Sequence, residues 1–365
     1  MTAIGVLMAL LLLAYLGSFL VSGRSVRGFG LPSGSEYLAL GAIVGPPVLG
    51  MIRRSALLDF EPIVDVLVGW LALIVGLDFG FSGKSRVKIR SLVGGSLLAA
   101  STFSIVFGAI FGLLALTPKY HGLVGSDRFV LAGGVAAACT ETTRNAVRWV
   151  VERYGAKGPV SSVIAELTDC DHIVPILATA AIFALQPSST RAFGANIPFW
   201  GWALATLVLG MIVGATASLL LGREFRVDES WGVLLGSSVM AIGIAARVGL
   251  SPLATMFITG ITVSALTSHR AQIRRMVDPT EQAAQLPTLL LAGALLNRDA
   301  PVFTLAIIAT AIFVLNDRAV AAGLVVRMGS SRARHALPTL GLGLLSSGSV
   351  AICVGRHSRF VSQAP

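Results

Sequence analysis

The sequence predicts an all-α polytopic membrane protein with about twelve transmembrane helices. Three observations carry this. The chain has 365 residues and is 55% hydrophobic but only 13% charged, where a soluble domain carries about 25% charged residues. Its mean hydropathy is +0.81. Apolar runs of roughly twenty residues, the length that crosses a bilayer core, succeed one another with short polar connectors between them. The 40 glycines fit this class, because small residues let membrane helices approach closely.

In chain order the predicted spans are 3–22, 35–52, 61–82, 91–117, 128–151, 159–187, 198–222, 232–248, 251–267, 283–297, 302–328 and 336–355. The first, within "MTAIGVLMALLLLAYLGSFLVS", has no basic n-region and no cleavage site. It reads as a span and not as a signal peptide. The connectors, such as "SGKSRVKIR" and "SHRAQIRRMVDPTEQ", are too short for a soluble domain, and "RHSRFVSQAP" closes the sequence. The expectation is a single transmembrane unit, 1–365, with no soluble regulatory domain.

Charge gives the orientation. Alternate connectors, beginning with the first, hold most of the Lys and Arg, among them Arg24, Arg27, Lys84, Arg86, Lys88, Arg90, Arg270, Arg274 and Arg275. The positive-inside rule places that set in the cytoplasm and the N-terminus outside. The same distribution accounts for the net charge of +10 without nucleic acid, since no basic face or aromatic platform is visible. Cys139, Cys170 and Cys353 lie inside apolar runs and form neither a disulfide framework nor a zinc spacing.

Ionisable groups in a bilayer cost several kcal/mol each and mark candidate sites. They gather in two zones, 140–172 and 316–349, one in each half. Paired interruptions of this kind point to inverted repeats around a midplane site. In "CTETTRNAVRW", Glu141 and Arg144 are three apart and can pair on one helix face. Thr140, Thr142 and Thr143 weaken a helix there and offer hydroxyls. The plainer reading is an ion pair at a helix end.

"AELTDCDHIVPIL" holds Glu166, Asp169, Asp171 and His172. On a straight helix Glu166, Asp169 and Cys170 share a face, while Asp171 and His172 point elsewhere. A carboxylate that trades a proton for a cation suits such a place, and an imidazole titrates near neutrality. A structural salt bridge or helix terminus is the alternative. "VLNDRAVAAGL" puts Asn316, Asp317 and Arg318 deep in an apolar run, where Arg318 needs an acidic partner. In "LGLLSSGSVAIC", Ser346, Ser347 and Gly348 form a second candidate break, or else a small-residue packing face. The 166–172 cluster matches no strong metal spacing.

The order of motifs resembles the monovalent cation/proton antiporters, with the sodium/hydrogen-exchanger membrane domain. "GLPSGSEYLALGAIVGPPVLGMI" looks like the family's Leu-Pro, Gly-Tyr-Leu, Gly-Pro helix. "VGWLALIVGLDFGFS" looks like the helix ending Gly-Leu-Glu. "VGLSPLATMFITGITVSAL" looks like the Gly-Leu-Ser-Pro helix. The resemblance spans about residues 10–355. It implies two crossing broken helices, at "CTETTRNAV" and "LLSSGSVAIC", with core-type helices over about 61–187 and 251–355 and the remainder as scaffold. It further implies a homodimer in the cell membrane, elevator-type exchange of Na⁺ or K⁺ for protons, and no cofactor or enzymatic chemistry.

By the same resemblance Asp171 and His172 occupy the ion-binding pair, with Asp169 and Glu166 as further acids. Glu141 and Thr140 line the site, and Arg318 is the counter-charge to Asp171. His172 stands where the family has a carboxylate. A non-transporting or channel-like regulatory module of the same fold, or a divalent-metal carrier, are the alternative readings.

Overall fold

The computed structural model describes residues 35–46, 48–50, 61–79, 89–116, 125–140, 151, 155, 159–168, 172–185, 198–222, 226–294, 308–309, 311–312, 316 and 320. Among these there are ten bounded α-helices and no strand. They are α1 (Ser35–Val44), α2 (Glu61–Asp78), α3 (Ile89–Leu116), α4 (Gly125–Thr140), α5 (Pro159–Thr168), α6 (Ile173–Leu185), α7 (Phe199–Leu220), α8 (Val227–Val248), α9 (Pro252–Leu266) and α10 (Arg270–Ala294). Residues 308, 309, 311, 312, 316 and 320 are also helical. The predicted spans 3–22 and 336–355 lie outside the described residues.

Two expectations about elements are corrected. The run 159–187 is not one straight helix, because His172 is a turn between α5 and α6. The cause is legible in Pro175. Proline has no N–H and is tolerated only in a first helical turn. Helix α6 therefore starts at Ile173, with Ile176 N–H donating to the His172 carbonyl at 3.4 Å. The face argument for Glu166, Asp169 and Asp171 assumed continuity and lapses here.

The second correction concerns the polar connector 268–282, of which 270–282 is the first half of α10. Its charges hid an apolar stripe. Ile273, Val277 and Ala284 are buried at helical spacing.

The motif Gly-Leu-Ser-Pro is a helix-to-helix joint. Gly249 closes α8 at φ +85°, a left-handed cap that favours glycine. Leu250 is buried beside Trp202 and Ala245. Ser251 caps α9, its side chain accepting from Ala254 N–H at 3.3 Å, and Pro252 takes the first helical position.

Packing divides the described helices into two groups. Helices α1, α2, α7, α8, α9 and α10 pack together, and so do α3, α4, α5 and α6. The seam between them is α6, which touches α7 and α9.

The larger group is sealed by glycines. A side chain on Gly76 would strike the Phe257 carbonyl, and one on Gly260 the Leu73 carbonyl. A side chain on Gly41 would strike the Leu290 carbonyl, and one on Gly293 the Leu38 carbonyl. So α2 crosses α9 through Gly76 and Gly260, and α1 crosses α10 through Gly41 and Gly293. Pro62 and Pro279 each lie fourteen residues before the glycine of their helix. Each half of the chain thus gives one helix to each crossing, while α2 and α10 also touch. This exchanged pairing is the kind of contact that inverted repeats make.

Helices α3, α7 and α8 contain stretches long and apolar enough to cross a membrane: Leu92–Leu116, Trp200–Leu220 and Val227–Val248. Their outward faces carry exposed Leu97, Leu204, Ile212 and Leu235, as lipid contact requires.

Candidate functional site

Helix α3 is the hub of the smaller group and packs against α4, α5 and α6. These carry the described candidates. Thr140 ends α4 as described, 3% exposed, with its hydroxyl donating to the Ala137 carbonyl at 2.7 Å. His172 is 6% exposed at the start of α6. Glu166 belongs to α5.

Helices α4 and α6 pack directly, with Gly133 against Ile182. Ala137 and Ile176 are buried in one cluster. A helix N-terminus carries partial positive charge and unpaired N–H groups. Asp171 and His172 stand in sequence at that end of α6. An anion there is stabilised, and it can balance a bound cation.

Glu141, Thr142, Thr143, Arg144, Asp169, Asp171, Arg318, Ser346, Ser347 and Gly348 lie outside the described residues. Their neighbour Asn316 does not. It is buried, and its Nδ2 donates to Thr102 Oγ1 of α3 at 3.1 Å.

Sequence reasoning missed a second polar centre. Arg274 is 7% exposed and pairs with Asp78 at 3.0 Å (Nε to Oδ1), Asp278 at 2.7 Å and Glu281 at 3.8 Å. Arg270 donates to the carbonyls of Leu77 at 3.2 Å and Asp78 at 2.7 Å, and Ser264 donates to the Leu77 carbonyl at 2.9 Å. These bonds satisfy carbonyls that the end of α2 would leave open. The available signal was the acid closing "VGLD" in an apolar run, which demanded a cation. The contact joins the end of α2 to the start of α10.

The fold is that of a solved transporter. The sodium proton antiporter MjNhaP1 from Methanocaldococcus jannaschii, determined at pH 8, matches at TM-score 0.68 and 16% identity, over 99% of this chain and 87% of that chain. This chain has the sodium/proton antiporter fold. No family model and no curated protein matches it. The fold expected from the ordered motifs at Leu31-Pro32, Gly76-Leu77-Asp78 and Gly249-Leu250-Ser251-Pro252 is the one present. With an antiporter fold and apolar spans, the protein is a multi-pass membrane protein. In this antiporter fold Asp78 and Arg274 are a structural bolt of the larger helix group, while Thr140 and His172 belong to the smaller one.

Proposed function

We propose that the protein is a secondary transporter, not an enzyme, that exchanges Na⁺ or K⁺ for protons across the cell membrane. The observation that carries the reading is the position of His172. In an antiporter fold, a buried imidazole immediately precedes α6, which packs against α4, the helix described to its end at the buried Thr140. A helix start beside buried polar groups is the kind of place where a transporter holds an ion.

Asp171 is the main titrating carboxylate in this reading. Cation entry displaces its proton, and cation release restores it. His172 carries a second proton or tunes the first. Thr140 and Glu141 line the site, with Thr142 and Thr143 beside them. Asp169 and Glu166 are supporting acids. Arg318 balances Asp171 when neither ligand is bound, and Arg144 balances Glu141. Ser346, Ser347 and Gly348 complete the second broken helix.

The moving part is α3–α6 with the 308–320 stretch. It lies within the core-type helices of 61–187 and 251–355. Motion of the small group along α7 and α9 by way of α6 would expose the site to each side in turn. A homodimer with the N-terminus outside completes the reading.

The test is proton flux in proteoliposomes under an imposed Na⁺ or K⁺ gradient, for wild type and Asp171→Asn. Wild type acidifies or alkalinises the lumen according to gradient direction, and Asp171→Asn loses at least about tenfold of that rate, as expected for an exchange group acting directly. Equal flux in both would remove Asp171 from its role. Absence of flux in wild type, with a folded protein, would favour a regulatory module of the same fold, to which His172 in place of a carboxylate lends weight. Loss on His172→Ala together with divalent-metal binding would favour a metal carrier.

A further inference from the structure

We propose that the lipid face of α3 fits a thicker hydrocarbon layer than that of α8, so that acyl-chain length sets the height of the smaller helix group against the larger one. The inference rests on the cation/proton exchange reading above, in which that height is the coordinate of transport.

Helix α3 exposes one stripe at helical spacing, through Val93, Leu97, Ala100, Ile105, Phe111 and Leu116. Its ends are open, Val93 at 54% and Leu116 at 81% exposure. No charged residue lies between them. Ser104 falls within the stripe, and its hydroxyl donates to the Ala100 carbonyl at 2.8 Å, which spares the lipid an unpaired donor. At 1.5 Å per residue the stripe is about 35 Å tall.

Helix α8 is closed in by charge. Glu229 and Arg247 are both exposed. They stand about five turns apart and so on one face, with Gly236, Met240 and Gly243 exposed between them. That band is about 27 Å tall. On α7 the exposed run from Trp200 to Leu220 is about 30 Å. Both helices of the larger group therefore suit a layer of ordinary thickness, and α3 overshoots it. For α3 to fit the layer that suits α8, it must lean about 38°, near the upper end of the roughly 0–40° seen for spanning helices. Any lean of α8 shortens its own height and raises that demand. The two bands sit on different packing units, whose seam is α6 against α7 and α9. The larger unit is held by its glycine crossings, so a change of thickness is taken up at the seam.

The experiment measures cation-driven proton flux in proteoliposomes of monounsaturated phosphatidylcholines, in a series from about 14 to 22 carbons per chain. Wild-type flux should vary at least about threefold across the series, because mismatch has a modest cost per Å that sums over several Å. Val93→Lys moves the polar edge of α3 one turn inward, to a band of about 29 Å, and should move the optimum to shorter chains. Val227→Lys adds charge beside Asp228 and Glu229, outside the α8 band, and should keep the wild-type optimum.

A flat wild-type profile, an unmoved optimum in Val93→Lys, or the same shift in Val227→Lys would overturn the proposal. If Val93→Lys is not recovered as a monodisperse protein, Val93→Gln is read by the same criterion. A wild type that exchanges with a flat profile withdraws this inference alone. A wild type without exchange in any lipid withdraws the functional reading. Melting in nanodiscs of the same lipids then decides the fit by itself: Val93→Lys should move the chain length of highest Tm downward, and an unmoved maximum would overturn it.

Discussion

Arg274 and Arg226 show how differently two arginines of one chain are used. Arg274 meets Asp78 where both side chains are nearly out of solvent, at 7% and 10% exposure. Arg226 meets Glu229 at 2.8 Å where both are open, at 70% and 68%. Removing one partner of a buried pair leaves an uncompensated charge, worth about 3–5 kcal/mol. Arg274→Met should therefore lower the Tm of the detergent-solubilised protein by many degrees, and Asp78→Leu/Arg274→Met should recover much of the loss. Arg226→Ala should leave Tm unchanged within error, because exposed pairs contribute little. An Arg274→Met protein that melts like wild type would refute the bolt assigned to it. The sequence pointed to buried charge as the place to look, and Asp171 and Arg318 came from that logic. It passed over Arg274 because three basic residues in "SHRAQIRRMV" look like a solvated connector. Only the contact with α2 distinguishes Arg274 from Arg275, which is exposed.

At the scale of elements, helix crossings without side chains decide what can be altered. Gly76 faces the Phe257 carbonyl and Gly260, whereas Gly108 and Gly112 of α3 face open space. Gly76→Val should destabilise by about 1–3 kcal/mol, the ordinary result of overpacking, or prevent recovery of a monodisperse protein. Gly108→Ala should be neutral or stabilising by about 1 kcal/mol, since alanine is the better helix former. Thermal melts of the two variants in one detergent test the contrast, and equal melts would mean the crossing is looser than its geometry. Apolar length gave good bounds for α2, α7 and α9. It failed where polarity and periodicity disagreed. In α10 charge outweighed an apolar stripe, and in 159–187 hydrophobicity outweighed Pro175. The turn at His172 puts a helix start directly after the polar cluster in the sequence.

For the whole molecule, composition and motif order were enough to establish the fold. The repeat was harder to read, because its two copies share almost no residues. "EPIVDVLVGWLALIVG" and "DPTEQAAQLPTLLLAG" have in common an acid, a proline, a leucine and a glycine at matching positions. The glycine survives in both because each crossing needs it, and the rest follows different surroundings. The two crossings should therefore respond alike. Gly293→Val should lower stability by about as much as Gly76→Val, within about 1 kcal/mol, and a several-fold larger effect of one would show that they are not equivalent contacts. The exchanged pairing also has a consequence for synthesis. Gly41 leaves the ribosome about 250 residues before Gly293, its counterpart across the crossing. At about 5–20 residues per second, α1 waits roughly 10–50 s in the membrane for α10. Throughout that interval its glycine face has no partner from its own chain. Lipid, the insertion machinery or a neighbouring nascent chain must cover it until the second half arrives.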